Sequence, residues 1–286
     1  MRAYSTVIAH SLDIGAWSFR TWNLERGDAL PYPLCHMLPD RKWNLESVLM
    51  LFSGLMISIF LGMCVALVLK KIFPHLAPAD ERFFVFIIST VSFQGVALLL
   101  THRFLRQHEV GWREFLGLDQ AGWNRVLWLA LGVAALALPV ALLLNALSEM
   151  VLVTLRGEAE MQPTMKILEV TVGTFRRVCF GFTAVLLAPV VEEILFRGLL
   201  YPAIKLRGYP KCALIGTSLL FAAIHGSLMT LVPLFFLAVV FVWLYERTGT
   251  LAAPIAAHSF FNTVNFFIFI YRTELEEFLQ HLRERI

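Results

Sequence analysis

The sequence predicts an all-α fold, a polytopic transmembrane helical bundle of about 7–8 spans with its active site buried among the last four. Composition is the first observation behind this. Of the 286 residues 58% are hydrophobic and 16% charged, and mean hydropathy is +0.70. Soluble domains run near 45–50% apolar and about 25% charged, so the polar residues here are too few to coat a water-soluble protein of this size. The 24 Phe and 7 Trp need burial, which excludes disorder and a collagen-like fibre. The second observation is the length of the apolar runs, which suits the ~20 helical residues needed to cross a hydrocarbon layer of ~30 Å. The third is a set of polar and ionisable residues concentrated in the later runs.

Residues 1–45 read as an N-terminal leader, interfacial or loosely structured. They hold aromatic and proline-rich pieces (Trp17, Phe19, Trp22, Pro31-Tyr32-Pro33). They lack the apolar stretch of a cleavable signal peptide, which leaves membrane insertion to the first true span. Spans are expected over 47–69, 83–101, 126–152, 178–203, 212–225, 228–246 and 251–270. The third is long enough to tilt or to continue into the polar stretch from Arg156 to Lys166. The fifth is short and bounded by His225-Gly226-Ser227, which predicts a tight hairpin of the fifth and sixth helices. In the tail, apolar residues at 275, 278, 279 and 282 recur at helix spacing, predicting a C-terminal surface helix over 273–286. The chain thus divides into the leader (1–45), N-terminal transmembrane helices (46–175), a helical core (176–272) and the tail helix.

The net charge of +3 is mild, and Lys and Arg sit in small groups between apolar runs. That pattern suits loops at a membrane surface; a nucleic-acid partner would concentrate them on one element. Cys35, Cys64, Cys179 and Cys212 form no CxxC pair, and the last three, in or beside apolar runs, read as small buried residues.

Ionisable residues cost ~2.5–3.5 kcal/mol each at mid-bilayer on insertion scales, so those inside spans are informative. The first three spans hold almost none, and Gln94 reads as a helix–helix hydrogen bond. The fourth carries Glu192, Glu193 and Arg197, the fifth ends in His225, and the seventh holds His258 and Asn262. Glu193 and Arg197 are i and i+4 and share a helix face, so they are expected to pair. Glu192 is then left about 100° round the helix, free for chemistry. His258 and Asn262 are also i and i+4. Pro189, mid-helix, is expected to kink the span near the carboxylates.

One carboxylate with two imidazoles on three helices suits activation of water. The carboxylate acts as general base, and an imidazole beside it orients the same water. A second imidazole with a carboxamide is suited to stabilise the oxyanion of a tetrahedral intermediate, where one donor is worth ~3–4 kcal/mol. The set Glu192, His225 and His258 also equals a three-ligand zinc site with an open fourth position, and the residues alone leave both routes open. HExxH and GxGD are absent. A Ser218–His258 dyad would leave Glu192, His225 and Asn262 without work.

Glu192-Glu193-x-x-x-Arg197, Phe221-x-x-x-His225 and His258-x-x-x-Asn262, in order on successive spans, resemble the motifs of the CPBP (CAAX protease and bacteriocin-processing, or Abi) intramembrane endopeptidases. The segment from Leu244 to Leu251 and on to Pro254–His258 is also similar. The resemblance covers residues 178–270. It implies that Glu192 is the general base acting with His225, that His258 and Asn262 stabilise the oxyanion, and that Glu193 and Arg197 support the site. It implies a membrane-associated substrate, lipidated or bearing a C-terminal signal, and membrane lipid as surroundings. No cofactor is favoured, and zinc on Glu192, His225 and His258 is the runner-up. The alternative function is a non-catalytic immunity or scaffold protein of the same fold. A proton-coupled transporter is disfavoured by the lack of inverted repeats.

Overall fold

The computed structural model describes residues 43–119, 122–157, 173–272 and 274. Among them all regular structure is helical. The helices are α1 (Leu45–Ile72), α2 (Pro78–Gln107), the short α3 (Trp112–Leu116), α4 (Trp123–Arg156), α5 (Thr174–Lys205), α6 (Pro210–Ala223), α7 (Leu228–Thr248) and α8 (Ala252–Ile270). The leader and the C-terminal surface helix fall almost wholly outside the described residues, as do Cys35 and the stretch after Gly157.

Among the described residues six helices (α1, α2, α4, α5, α7 and α8) are long and apolar enough to cross a membrane. The chain is therefore a multi-pass integral membrane protein. Every expected span is a helix, and among the described residues six of the seven have the length of a membrane crossing. The fifth, α6, has 14 residues and rises only ~21 Å at 1.5 Å per residue. It pairs with α7 through residues 224–227, the hairpin expected from sequence, and Gly226 takes φ 66° in that connection. Large apolar side chains such as Phe60, Leu67 and Leu136 stand exposed along the helices. In water that surface would aggregate; in a bilayer it faces acyl chains.

Local sequence sets the helix ends. Asn44 caps α1 by accepting from the Glu46 amide, and Lys70 and Lys71 occupy the last turn, where cations complement the helix dipole. Gly157, at φ 80°, ends α4 at the start of the polar stretch.

Packing falls into two cores. In the first, α1, α2 and α3 surround the outer end of α5. Trp43 donates from its indole nitrogen to the Gly198 carbonyl at 3.0 Å and packs on Phe104 and Phe115. In the second, Ala130, Ala134, Ala137 and Ala141 form a stripe on α4 against Leu237, Phe241 and Leu244 of α7 and Ala253 and Ala257 of α8. Small residues at helix spacing let backbones approach closely, which is how membrane helices gain contact without a hydrophobic driving force.

Helices α2 and α5 are not regular throughout. Each widens into π-turns: Val91–Gly95 in α2, Thr183–Leu187 and Ile194–Leu200 in α5. In the second of these the Ala188 amide reaches back five residues to Thr183, directly before Pro189, whose missing amide leaves one carbonyl of the preceding turn without its helix partner. Such turns concentrate at functional sites, and α5 carries the conspicuous carboxylates between two of them.

Close packing at Gly198 gives a direct test. A Cβ there would lie 2.6 Å from Phe115 Cζ and 3.0 Å from Leu251 Cδ1, whereas one at Gly216 on α6 would meet nothing within 4 Å. Gly198→Ala is expected to cost ~1–3 kcal/mol by overpacking, and Gly216→Ala to be neutral or slightly stabilising through helix propensity. Thermal unfolding of the two variants in detergent checks the contrast. Equal melting temperatures would contradict it.

Candidate active site

The centre of the site is the buried ion pair of α5. Arg197 donates from Nη1 to Glu193 Oε1 at 2.9 Å and from Nη2 to the Ala238 carbonyl of α7 at 3.0 Å. Its guanidinium lies 4.7 Å from the Phe221 ring centroid and 5.4 Å from that of Phe241. The side chains of Glu193 and Arg197 are 0% and 1% exposed, so neither charge is relieved by solvent. The planar fork of an arginine suits this setting, meeting a carboxylate and a carbonyl along its edge and aromatic rings on its face. The i, i+4 pairing expected from sequence is present.

Sequence spacing did not reveal that Glu193 has a second partner. The same Oε1 lies 2.9 Å from His258 Nδ1 on α8, across 65 residues. An oxygen already accepting from a guanidinium accepts again here, so His258 donates from Nδ1 and its Nε2 is turned the other way. Nε2 lies 3.8 Å from Glu192 Oε2, beyond a direct hydrogen bond but within the span of one bridging water. His258 thus stands between the two glutamates, stacked on Phe241 at 4.9 Å. Two adjacent carboxylates have been given different surroundings: Glu193 is sealed, while Glu192 keeps a 14% exposed side chain.

His225 lies just past the end of α6, not on its last turn as expected. Its Nδ1 donates to the Phe221 carbonyl at 2.7 Å, using one of the carbonyls that a helix end leaves without a partner. A carbonyl only accepts, so the proton sits on Nδ1 and Nε2 is the acceptor. Asn262, one turn beyond His258, donates from Nδ2 to the Ala184 carbonyl in the first π-turn of α5 at 2.8 Å. The amide has two hydrogens, so a second remains available.

Glu192, His225, His258 and Asn262 line one cavity of about 640 Å³. Its wall is completed by residues of α2 and α4, among them Phe93, Gln94 and Asn145. Glu193 and Arg197 stand behind the wall.

Several expectations change. Gln94 does not serve as a helix–helix hydrogen bond: its Oε1 is buried without a partner, in the cavity wall. Ser218 Oγ is buried and makes no hydrogen bond, so no Ser218–His258 dyad is formed. Of the cysteines expected to be buried, Cys64 and Cys179 are half-buried and Cys212 is exposed. Zinc needs three converging donors in addition to water. Among the described residues no group of three or more His, Cys, Asp or Glu is arranged to hold a metal ion.

Residues 174–264 match the Rce1-like family model, described as type II CAAX prenyl endopeptidase Rce1-like. The match covers less than half of the chain and makes that segment similar to the CAAX proteases. No curated protein and no solved structure matches the chain. The matched segment runs from the start of α5 into α8 and contains all six motif residues, and the family implies a protease. The cavity extends beyond it, because its α2 and α4 walls come from residues before 174. No local motif could have announced Glu193 to His258, a contact made by two helices far apart in sequence. Gln94 carried the one available signal, a carboxamide in an otherwise apolar span.

Proposed function

We propose that the chain is an intramembrane endopeptidase that hydrolyses a peptide bond of a membrane-associated, prenylated or C-terminal-signal-bearing substrate with a glutamate-activated water. The observation that carries this reading is the single cavity shared by Glu192, His225, His258 and Asn262 inside a membrane-spanning bundle. In it, residues 176–272 form the catalytic core and residues 46–175 supply the opposing helices.

In the proposed step a water held by Glu192 and by the free Nε2 of His225 loses a proton to Glu192 and attacks the scissile carbonyl carbon. The carbonyl oxygen becomes an oxyanion. His258, held through Nδ1 on Glu193, is one donor to it. The second amide hydrogen of Asn262 is the other donor. Glu192 then passes its proton to the departing amine nitrogen as the C–N bond breaks, leaving a carboxylic acid, an amine and the starting enzyme. Arg197 neutralises Glu193, and Glu193 orients His258, as a carboxylate behind a catalytic imidazole does in hydrolytic triads.

Purified protein should cleave an internally quenched, prenylated peptide ending in a CAAX sequence, with products identified by mass spectrometry. No cleavage of prenylated or C-terminal-signal peptides would remove the peptidase reading and leave the immunity or scaffold alternative. Incubation with EDTA or 1,10-phenanthroline should leave the rate within about twofold. Loss of activity on chelation with recovery on added zinc would overturn the metal-free step while keeping the protease.

A further inference from the structure

The proposed chemistry uses one end of the cavity, and the other end follows α8. His258, Asn262, Asn265, Phe269 and Arg272 all line it. Spaced alternately four and three residues apart, they fall on one face of a helix. Along that face an imidazole and two carboxamides give way to an aromatic ring and then to a guanidinium, just past the end of α8 at Ile270. The same cavity is lined by Phe86, early in α2, and Phe180, early in α5. It therefore runs from the Glu192 carboxylate toward the face of the bundle where those two helices begin.

Among the described residues around the cavity, Arg272 is the one fixed cation and Glu192 the one carboxylate. Arg272 is exposed, and its guanidinium lies over the Phe269 ring, 4.9 Å from the centroid. A ring beneath a guanidinium fixes its plane and turns its N–H groups to the side. A planar carboxylate is the anion that matches such a fork, with two parallel hydrogen bonds. From His258 to Ile270 the helix rises ~18 Å at 1.5 Å per residue, and a long helical side chain is directed back toward the N-terminus. An extended peptide advances ~3.3 Å per residue, so about three to five of its residues bridge the reacting carbonyl and an anion on Arg272. We propose that Arg272 is the subsite for the substrate's C-terminal carboxylate, selecting peptide bonds about three to five residues before a free C-terminus. This rests on the endopeptidase reading above and deepens it: the site is set to trim chain ends, and an internal loop lacks the charge that would hold it there. Arg272 determines specificity in this account; the bond-making groups remain those of α5, α6 and α8.

The test compares two forms of the prenylated, quenched CAAX peptide, one ending in a carboxylate and one in a carboxamide. Wild type, Arg272→Gln and Arg272→Lys are assayed in neutral phosphatidylcholine vesicles. Amidation is expected to raise the wild-type KM about tenfold, the size of one hydrogen-bonded charged contact, with kcat little changed, and to cost Arg272→Gln nothing further. Arg272→Lys should keep part of the preference, since it retains the charge and loses the fork. Moving the carboxylate about five residues further from the scissile bond should remove the wild type's preference. An equal loss on amidation in all three proteins, no loss in the wild type, or unfolding of both variants would overturn the proposal. So would an Arg272 effect that is the same for both peptides and appears only when anionic phosphatidylglycerol is added, because the guanidinium would then be holding a lipid headgroup. Fluorescence anisotropy gives the same comparison as Kd, without turnover. A carboxylate preference in Kd that depends on Arg272, with no cleavage, would reject the peptidase reading and keep the subsite. Cleavage indifferent to the terminal group would do the reverse, and peptides that neither bind nor are cleaved would reject both.

Discussion

Glu192→Gln is expected to reduce cleavage of a prenylated CAAX peptide by about 10³-fold, within the range that general-base catalysis contributes, with no change in melting temperature. The expectation comes from placement. Glu192 lines the cavity and makes no ion pair with Arg197, which is committed to Glu193. Removing its charge therefore leaves the Arg197–Glu193 pair intact, and glutamine keeps the shape. Steady-state rates with the quenched peptide, alongside thermal unfolding, give both readings on one preparation. Terminal-peptide profiling of membranes carrying wild type or Glu192→Gln extends the comparison to natural substrates. A variant that still cuts at more than a tenth of the wild-type rate would transfer the general-base role to another group, and His225 would be the first to examine. A variant that loses fold and activity together would make Glu192 a structural residue.

The second large effect concerns the pair behind the wall. Glu193→Gln leaves the Arg197 guanidinium buried at 1% exposure with no counter-charge. Breaking a buried pair on one side costs ~3–5 kcal/mol, whereas replacing both members by apolar residues of similar volume is often neutral. The double variant Glu193→Leu/Arg197→Met is accordingly expected to melt near the wild type and well above Glu193→Gln. It should nevertheless be inactive, because His258 loses the acceptor that holds Nδ1 at 2.9 Å. Stability and activity are thereby separated in one experiment. A double variant that is stable and fully active would show that orienting His258 through Glu193 has no part in turnover; one as unstable as the single variant would show that the pair's hydrogen bond to Ala238 and its aromatic contacts hold α5 to α7.

The apolar runs made the helices legible, because spanning a bilayer leaves little freedom of length or composition. The shortness of 212–225 was legible as well, yet it was counted as a span; its 14-residue helix belongs to a hairpin with α7. Within the site, the Glu193–Arg197 pair could be read because i, i+4 neighbours meet on any helix. The bridge from Glu193 to His258 could not, since it depends on how α8 settles against α5. Gln94 looked like a helix–helix contact because most membrane carboxamides find a neighbour. Its Oε1 has no partner, and it sits on a π-turn, which arises from a hydrogen-bond register and carries no residue signature of its own.

That register has a consequence for how the molecule tolerates changes in chain length. A regular stretch such as α1 has no slack: losing one residue there turns every later side chain about a third of the way round the axis, swapping lipid-facing and core-facing sides. At Val91–Gly95 the helix already holds one residue more than an α-turn needs, so trimming it would relax the coil to ordinary pitch while Ala97, Thr101 and Phe104 keep their buried places. The surplus position is thus a local reservoir of length, decoupled from the scaffold, through which the lining of the chamber is free to vary without disturbing the bundle around it.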